Sequence, residues 1–151
     1  KYGIIPNVSE NDFFTNSIHV PVWKEIGAFE KIDIESELTG YSNAGCITYV
    51  ELDSSAKNNI DALEQLVVYA MDKDIPYFAV NTPNDLCTDC GFTEQIDEDE
   101  CPQCGGDHIQ RLRRVTGYLT GDYKTAFNYG KQKETEMRFK HSEKMDNWEK
   151  I

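Results

Sequence analysis

The chain has 151 residues, of which 39 % are hydrophobic. This length and composition suit one domain with a modest core and a small additional module. Its formal net charge of −12 at pH 7 makes it a poor partner for a phosphate backbone, so we expect no direct binding of nucleic acid. No apolar run approaches the ~18 residues of a membrane helix, and no signal peptide is evident. We therefore expect a cytoplasmic protein with no membrane contact.

The charge is unevenly distributed along the chain. Residues 1–108 carry 5 Lys and Arg against 21 Asp and Glu, whereas residues 109–141 carry 8 against 3. We expect this basic segment to lie against an acidic surface or near an anionic substrate. A solvated basic helix over residues 131–140 is the simpler explanation for most of its side chains.

The first forty residues give weak structural signals. Residues 2–5 predict a short strand, and residues 7–12 predict a loop. Thr15, Asn16 and Ser17 follow within one turn; such a loop can bind phosphate oxygens, or it can only satisfy its own backbone. Both interpretations are equally supported. Residues 23–38 predict a short turn or helix and then an irregular strand.

A strand, a helix and a second strand come next. Residues 46–52 are β-branched and aromatic, which predicts a strand, and Cys46 within it is expected to be a buried thiol rather than a nucleophile. Residues 77–80 form the second strand. The unit should be parallel and right-handed, and alone it cannot cover both faces of its sheet, so a larger α/β structure should complete it. Asn58 or Asn59 should cap the helix, whose expected buried face is Ile60, Leu63, Leu66, Val67, Ala70 and Met71.

Two CxxC pairs lie in the second half of the chain, with ten residues between them. Paired cysteines at this spacing suit a tetrahedral metal, and four sulfurs without a histidine favour structural Zn²⁺, with iron as the alternative. Free or disulfide-bonded cysteines are the less favoured interpretation. Residues 92–100 are strongly acidic and should contain no hydrophobic core, so the metal must organise them. His108 is not expected to bind the metal, because four thiolates are already present. The predicted ligands are Cys87, Cys90, Cys101 and Cys104.

Two further motifs follow the cysteines. Residues 113–119 read Arg-Arg-Val-Thr-Gly-Tyr-Leu, and residues 127–132 read Phe-Asn-Tyr-Gly-Lys-Gln. After a four-cysteine motif, they resemble the C-terminus of the anaerobic (class III) ribonucleoside-triphosphate reductases, a glycyl radical enzyme family. The resemblance extends to residues 15–21 and 81–83, and so to nearly the whole chain. Because those reductases are several times longer, it implies the C-terminal piece of one, or a separately supplied piece.

The resemblance implies a fold and a division of the chain. The fold class is α/β, the C-terminal part of a ten-stranded α/β barrel of the glycyl radical enzyme type, with a small zinc-ribbon module and a radical loop. Residues 1–83 would be the barrel segment, residues 84–108 the zinc module, and residues 109–151 the radical loop with a C-terminal helix at residues 134–149. The loop at residues 15–17 would face the substrate cavity.

The resemblance also implies a chemistry centred on Gly117. A radical-SAM activating enzyme, using S-adenosylmethionine and a [4Fe–4S] cluster, would generate the glycyl radical there. That radical would form a thiyl radical on an upstream cysteine loop, which this chain lacks, and ribonucleoside triphosphates would be reduced to deoxyribonucleoside triphosphates. Glycine suits the role because its Cα can flatten without crowding from a Cβ. Tyr118, Leu119, Phe127 and Tyr129 are expected to cover it.

Two other functions remain open from the sequence. A non-catalytic zinc-ribbon interaction module would keep the four cysteines but would give Gly117 no special place. A stand-alone replacement glycyl radical subunit would dock onto a larger reductase subunit. The Arg-Val-Thr-Gly-Tyr-Leu segment favours a radical role over a plain ribbon. The reductant, formate or a thiol protein, stays undecided.

Overall fold

The computed structural model describes residues 3–6 and 8–144. Its helices and strands alternate in the first half, and strands precede short helices in the second. In chain order they are α1 Ala28–Thr39, β1 Thr48–Glu51, α2 Ile60–Asp72, β2 Phe78–Asn81, β3 Asn84–Cys87, β4 Thr93–Glu94, β5 Ile109–Val115, β6 Tyr118–Thr120, α3 Tyr123–Ala126 and α4 Tyr129–Glu136, with 3₁₀ turns at Ser54–Asn58 and His141–Lys144.

The predicted β–α–β unit is confirmed. Strands β1 and β2 pair in parallel, with Val50 opposite Val80, and α2 connects them. Asn59 caps α2, since its side chain accepts a hydrogen bond from the N–H of Ala62 at 3.2 Å. The cap satisfies one of the free N–H groups at the start of the helix. Cys46, just before β1, is 5 % exposed, which confirms the prediction of a buried thiol.

Helix α1 corrects the strand expected near residues 28–34. Apolar and charged residues alternate there, but the burial follows a helical period, with Ala28 and Ile32 fully buried and Glu35 also enclosed. Residues four apart share one helical face. This face packs with α2 against the parallel strands, and the shared core contains Ala28, Ile32, Val50, Leu52, Leu66, Ala70 and Ile75.

The buried face of α2 is rotated from the one predicted. Ala62, Leu66 and Ala70 are buried, whereas Ile60 and Met71 are 64 % and 69 % exposed. Val67 and Val68 are also exposed. The sequence pattern is apolar over more than one face, and α1 and the two strands cover only one of them. An apolar outer surface of α2 is therefore uncovered by the described residues.

The second sheet was not predicted as a unit. It is antiparallel with strand order β4-β3-β5-β6. The first half of β5 pairs with β3, placing Ile109 opposite Cys87, and its last residues pair with β6, placing Val115 opposite Tyr118. Strand β5 therefore joins the cysteines to the glycine motif. The described residues form these two small sheets and not the ten-stranded barrel.

The structure differs from the predictions at both ends of the chain. Residues 3–5 are irregular, and Tyr2 of the predicted strand lies outside the described residues. Towards the C-terminal end, Asp122 caps α3 and Asn128 caps α4. The helix expected over residues 134–149 ends at Glu136, and its residues 145–149 lie outside the described part. No described helix has the length and apolar character needed to span a membrane.

His141 gives a pH-dependent prediction. Burial, followed by the positive charge of Lys31, lowers the pKa of this imidazole from 6.5 to about 4. Between these values the unfolded chain binds a proton that the folded chain does not, so stability should fall by about 2 kcal/mol from pH 7 to pH 5. An NMR titration should find the ring neutral at pH 5, and His141→Gln should reduce the loss of stability. Titration of the ring near pH 6.5 would contradict this.

Candidate metal centre and glycine hairpin

The four cysteines converge as predicted. The sulfurs of Cys87 and Cys104 lie 3.7 Å apart, as do those of Cys90 and Cys101, and all four lie within 4.8 Å of one another. A zinc ion with Zn–S bonds of about 2.3 Å requires tetrahedral edges of about 3.8 Å. The donor set and its spacing therefore fit one Zn²⁺ ion.

The two cysteine loops are tight turns closed by glycine. Gly91 and Gly105 follow the second cysteine of each pair and have φ values of +79° and +71°, a region that a Cβ disfavours. Their N–H groups donate to the carbonyls of Cys87 and Cys101 at 2.9 and 2.8 Å. The N–H of Gly106 points at the sulfur of Cys104, at 3.4 Å. These turns bring N–H dipoles towards the sulfurs and favour thiolates.

The thiols influence one another's ionisation. Burial opposes ionisation of Cys101, but the backbone N–H groups of Gln103 and Cys104 lower its pKa to about 7. The N–H of Gly106 favours the thiolate of Cys104, yet hydrogen bonding with Cys90 and burial raise the pKa of Cys104 to about 12. One thiol thus ionises readily beside another that resists it. A cation among them would allow all four to ionise together.

The acidic loop between the cysteine pairs has more core than expected. Ile96 is only 2 % exposed, which corrects the prediction that residues 92–100 contain none. Its N–H donates to the fully buried carboxylate of Asp85 at 2.9 Å. Asp85 also accepts hydrogen bonds from Arg113 on β5. The basic segment therefore does meet acidic residues, and this carboxylate ties the loop to the strand that leads to the glycine motif.

Asp85→Asn should weaken the attachment of the cysteine module. The substitution removes the charged partner of the mostly buried Arg113 guanidinium and leaves Arg111 paired only with the exposed Asp99, which costs about 3 kcal/mol or more. Hydrogen exchange at the N–H of Ile96 and along β5 should accelerate. Asp99→Asn is the matched control, since Asp99 is fully exposed and lies 3.7 Å from Arg111. Equal exchange rates in the two variants would contradict the role of Asp85.

Gly117 lies at the tip of the β5–β6 hairpin. Thr116 and Gly117 form a two-residue loop between the paired Val115 and Tyr118. Thr116 has a φ of +51°, whereas Gly117 is outside the left-handed region. Such a loop resembles a type II′ turn, in which glycine normally takes the first position. A Cβ at Gly117 would meet no described atom within 4 Å. Neither the turn nor local packing therefore requires glycine at this position.

The expected apolar cover of Gly117 is not formed by the described residues. Tyr118, Leu119 and Tyr129 are 55 %, 64 % and 55 % exposed. Phe127 is buried, but in a separate cluster with Val115 and Tyr123. Gly117 itself is exposed. Any cover over this residue must come from outside the described part of the chain.

Thr15 and Asn16, in the predicted substrate loop of residues 15–17, form hydrogen bonds with other parts of the chain. The Thr15 hydroxyl accepts from the N–H of Val22 at 3.1 Å, and the N–H of Asn16 donates to Glu134 at 3.2 Å. Thr15 also borders a cavity of about 30 Å³ that reaches Thr116. This volume suits a water molecule, and it is far smaller than a nucleotide site. A substrate role for residues 15–17 stays a prediction.

Several contacts at the site could not be recognised from the sequence. Tyr49, in β1, donates its hydroxyl hydrogen bond to the carbonyl of Thr116, 67 residues away. Asp85 and Arg113 meet only because β3 and β5 pair. No spacing rule connects residues this far apart. The Nδ1 atom of His108 lies 3.0 Å from a carboxylate oxygen of Asp89, and the His108 ring is exposed.

Comparisons with known proteins identify the family of this chain. The family model for anaerobic ribonucleoside-triphosphate reductase matches residues 1–141. The Escherichia coli K12 protein of that name is 36 % identical over 148 residues, covering 93 % of this chain and 20 % of the relative. The Enterobacteria phage T4 protein of that name is 38 % identical over 148 residues, covering 93 % and 24 %.

A solved structure of an anaerobic ribonucleotide reductase superposes with a TM-score of 0.66 at 22 % identity, covering 87 % of this chain and 20 % of that one. This likeness supports the fold described above. The chain spans between 20 % and 24 % of the length of these curated relatives. On the strength of the family match over residues 1–141, the chain belongs to the anaerobic ribonucleoside-triphosphate reductase family.

Proposed function

We propose that this chain is the glycyl-radical-bearing C-terminal portion of an anaerobic ribonucleotide reductase, which reduces ribonucleoside triphosphates to deoxyribonucleoside triphosphates. The observation that carries the proposal is the glycine at position 117. Its φ lies outside the region that favours glycine, and no described atom would touch an added Cβ. Backbone geometry therefore does not explain why this residue is glycine. A need for a Cα that can lose a hydrogen atom and become planar does explain it.

The activation step transfers one hydrogen atom. A deoxyadenosyl radical, formed from S-adenosylmethionine by a radical-SAM activating enzyme with a [4Fe–4S] cluster, takes a hydrogen from the Cα of Gly117. Deoxyadenosine gains the C–H bond, and the unpaired electron stays on the glycine. The exposed hairpin tip leaves this Cα accessible to the activating enzyme. The protein supplies position and protection, while the radical carries the chemistry.

The remainder of the reductase would complete the active site. Gly117 has no cover among the described residues, and the outer surface of α2 exposes Ile60, Val67, Val68 and Met71. Cys46 is buried beside β1, so it is poorly placed to be the thiyl cysteine, which we assign to another part of the enzyme. Residues 1–83 would then join a ten-stranded barrel, and residues 15–17 would border the substrate.

The cysteine cluster has a structural role in this proposal. Zn²⁺ held by Cys87, Cys90, Cys101 and Cys104 would order residues 84–108, which contain little core apart from Ile96. The metal has no open position when four thiolates bind it, so it would take no part in the radical chemistry. Bound there, the ion would fix β3 and, through the pairing of β3 with β5, the start of β5.

Electron paramagnetic resonance of the complete reductase tests the proposal. After anaerobic activation with S-adenosylmethionine and a reductant, the signal should be a doublet, because one Cα hydrogen remains on Gly117. Glycine deuterated at Cα should collapse the doublet. Air should then cut the backbone at Gly117 and release a fragment that begins near Tyr118.

Gly121 and Gly130 are internal controls, since they share the residue type without the motif. Cleavage at either glycine would place the radical elsewhere. An activated reductase with its metal bound but no radical would instead favour a non-catalytic zinc-ribbon module. If this chain purifies separately and restores radical to an enzyme cut at its own glycine, the stand-alone replacement subunit is the correct form of the proposal.

A further inference from the structure

Thr116, the residue before Gly117, adopts an uncommon backbone conformation. Its φ is +51°, in the left-handed region that β-branched residues rarely occupy. Such a conformation persists only when surrounding contacts hold it, and it often marks a functional position. In the hairpin it determines how the peptide group between Thr116 and Gly117 is oriented.

Two side chains hold the carbonyl of that peptide group. The hydroxyl of Tyr49 donates a hydrogen bond to the Thr116 oxygen, and the Nε–H of Arg114 donates to the same oxygen at 2.9 Å. The Arg114 guanidinium also lies over the Tyr49 ring, 5.2 Å from its centroid. One carbonyl thus receives a neutral donor and a charged donor, and the two donors also contact each other.

Tyr49 is itself firmly placed. It lies within β1, paired with Ala79 of β2, and is 8 % exposed. The rings of Tyr49 and His19 form a T-shaped contact, with centroids 5.8 Å apart. Burial raises the pKa of its hydroxyl, which keeps the group protonated and able to donate. Through Tyr49 the tip of the hairpin is held against the parallel sheet.

We propose that Tyr49 and Arg114 are positioning residues that fix the peptide plane on the N-terminal side of Gly117. This inference rests on the proposed radical at Gly117 and goes beyond it. A planar Cα radical shares its unpaired electron with the two adjacent amides only when their planes align with it. Holding the Thr116 carbonyl sets one of those planes before the hydrogen atom leaves, and it also retains Thr116 in its uncommon conformation.

The test compares variants of the complete reductase after anaerobic activation. Tyr49→Phe removes one donor and keeps the ring, and Tyr41→Phe is the control because Tyr41 is 85 % exposed. Loss of one such hydrogen bond should reduce the radical yield about two- to tenfold. The doublet splitting should change or broaden, since the amide plane is less fixed. Metal content should stay the same in both variants.

Arg114→Gln tests the same carbonyl without altering a buried ring. Tyr49 and Arg114 donate to the same carbonyl. The double variant should therefore lose more radical yield than the product of the two single-variant fold reductions. A structural defect alone would lower the amount of folded protein without changing the doublet of the radical that forms. The splitting therefore distinguishes positioning from stability.

The outcomes separate this inference from the proposed function. No doublet in the unmodified reductase would overturn the radical at Gly117. A normal doublet there, with unchanged yield and splitting in Tyr49→Phe, Arg114→Gln and the double variant, would overturn only the positioning role. A reduced radical yield with an altered doublet splitting in these variants, together with an unchanged yield and splitting in Tyr41→Phe, would support the positioning role.

Discussion

Gly117→Ala is expected to abolish the radical doublet and the cleavage by air while leaving the fold and metal content unchanged. Alanine adds a Cβ that crowds a planar Cα and hinders the approach of the abstracting radical. The structure separates this chemical loss from a folding defect. The φ of Gly117 is acceptable for alanine, and no described atom lies within 4 Å of the added Cβ. The stability of the chain should change by no more than about 0.5 kcal/mol.

Gly121→Ala is the matched control. Its added Cβ also meets no described atom within 4 Å, and its φ lies outside the left-handed region. It should therefore leave both the fold and the radical intact. The measurements are electron paramagnetic resonance after activation, metal analysis, and mass spectrometry of the fragments formed in air. A doublet that survives in Gly117→Ala would show that the radical lies on another residue.

Loss of the metal should have the second large effect. Cys87→Ser or Cys104→Ser is expected to release the Zn²⁺ and disorder residues 84–107. A structural zinc site contributes on the order of 10 kcal/mol to folding, and this segment has few buried side chains to replace it. Cys87 is fully buried at the end of β3, so its loss also exposes the strand that pairs with β5.

Cys46→Ser provides the comparison for the zinc experiment. Cys46 is also buried, but it lies outside the four-sulfur cluster, so this variant should keep about one Zn²⁺ per chain. Metal analysis and hydrogen exchange over residues 84–107 are the measurements. A metal-free sample in which these amides remain protected would contradict a folding role for the metal.

Local patterns in the sequence were sufficient for several parts of the structure. The β-branched run before Leu52 and the cap at Asn59 predicted the β–α–β unit, because each signal depends on neighbours in the chain. The cysteine spacing predicted a cluster that the structure brings together. These predictions succeeded because short-range geometry determines them.

The failures have a common cause. The alternation in residues 28–34 indicated a strand, but the helical spacing of Ala28 and Ile32 against the sheet decided the structure. The apolar residues of α2 pointed in several directions, and tertiary contacts selected only one buried face. The contact between Tyr49 and Thr116 spans 67 residues. Burial and long-range pairing are properties of the assembled fold, and a single sequence carries little information about them.

Strand β5 separates the four cysteines, which precede it in the chain, from Gly117, which follows it. All four sulfurs belong to residues that precede it, and α3 and α4 follow the hairpin. Its seven residues span about 20 Å, so a backbone break at Gly117 would leave all four cysteines together on the fragment before the break. On the proposed function, a reductase inactivated by air would retain a full complement of zinc. Metal analysis would therefore not distinguish the cut enzyme from the intact one, whereas the mass of the chain would.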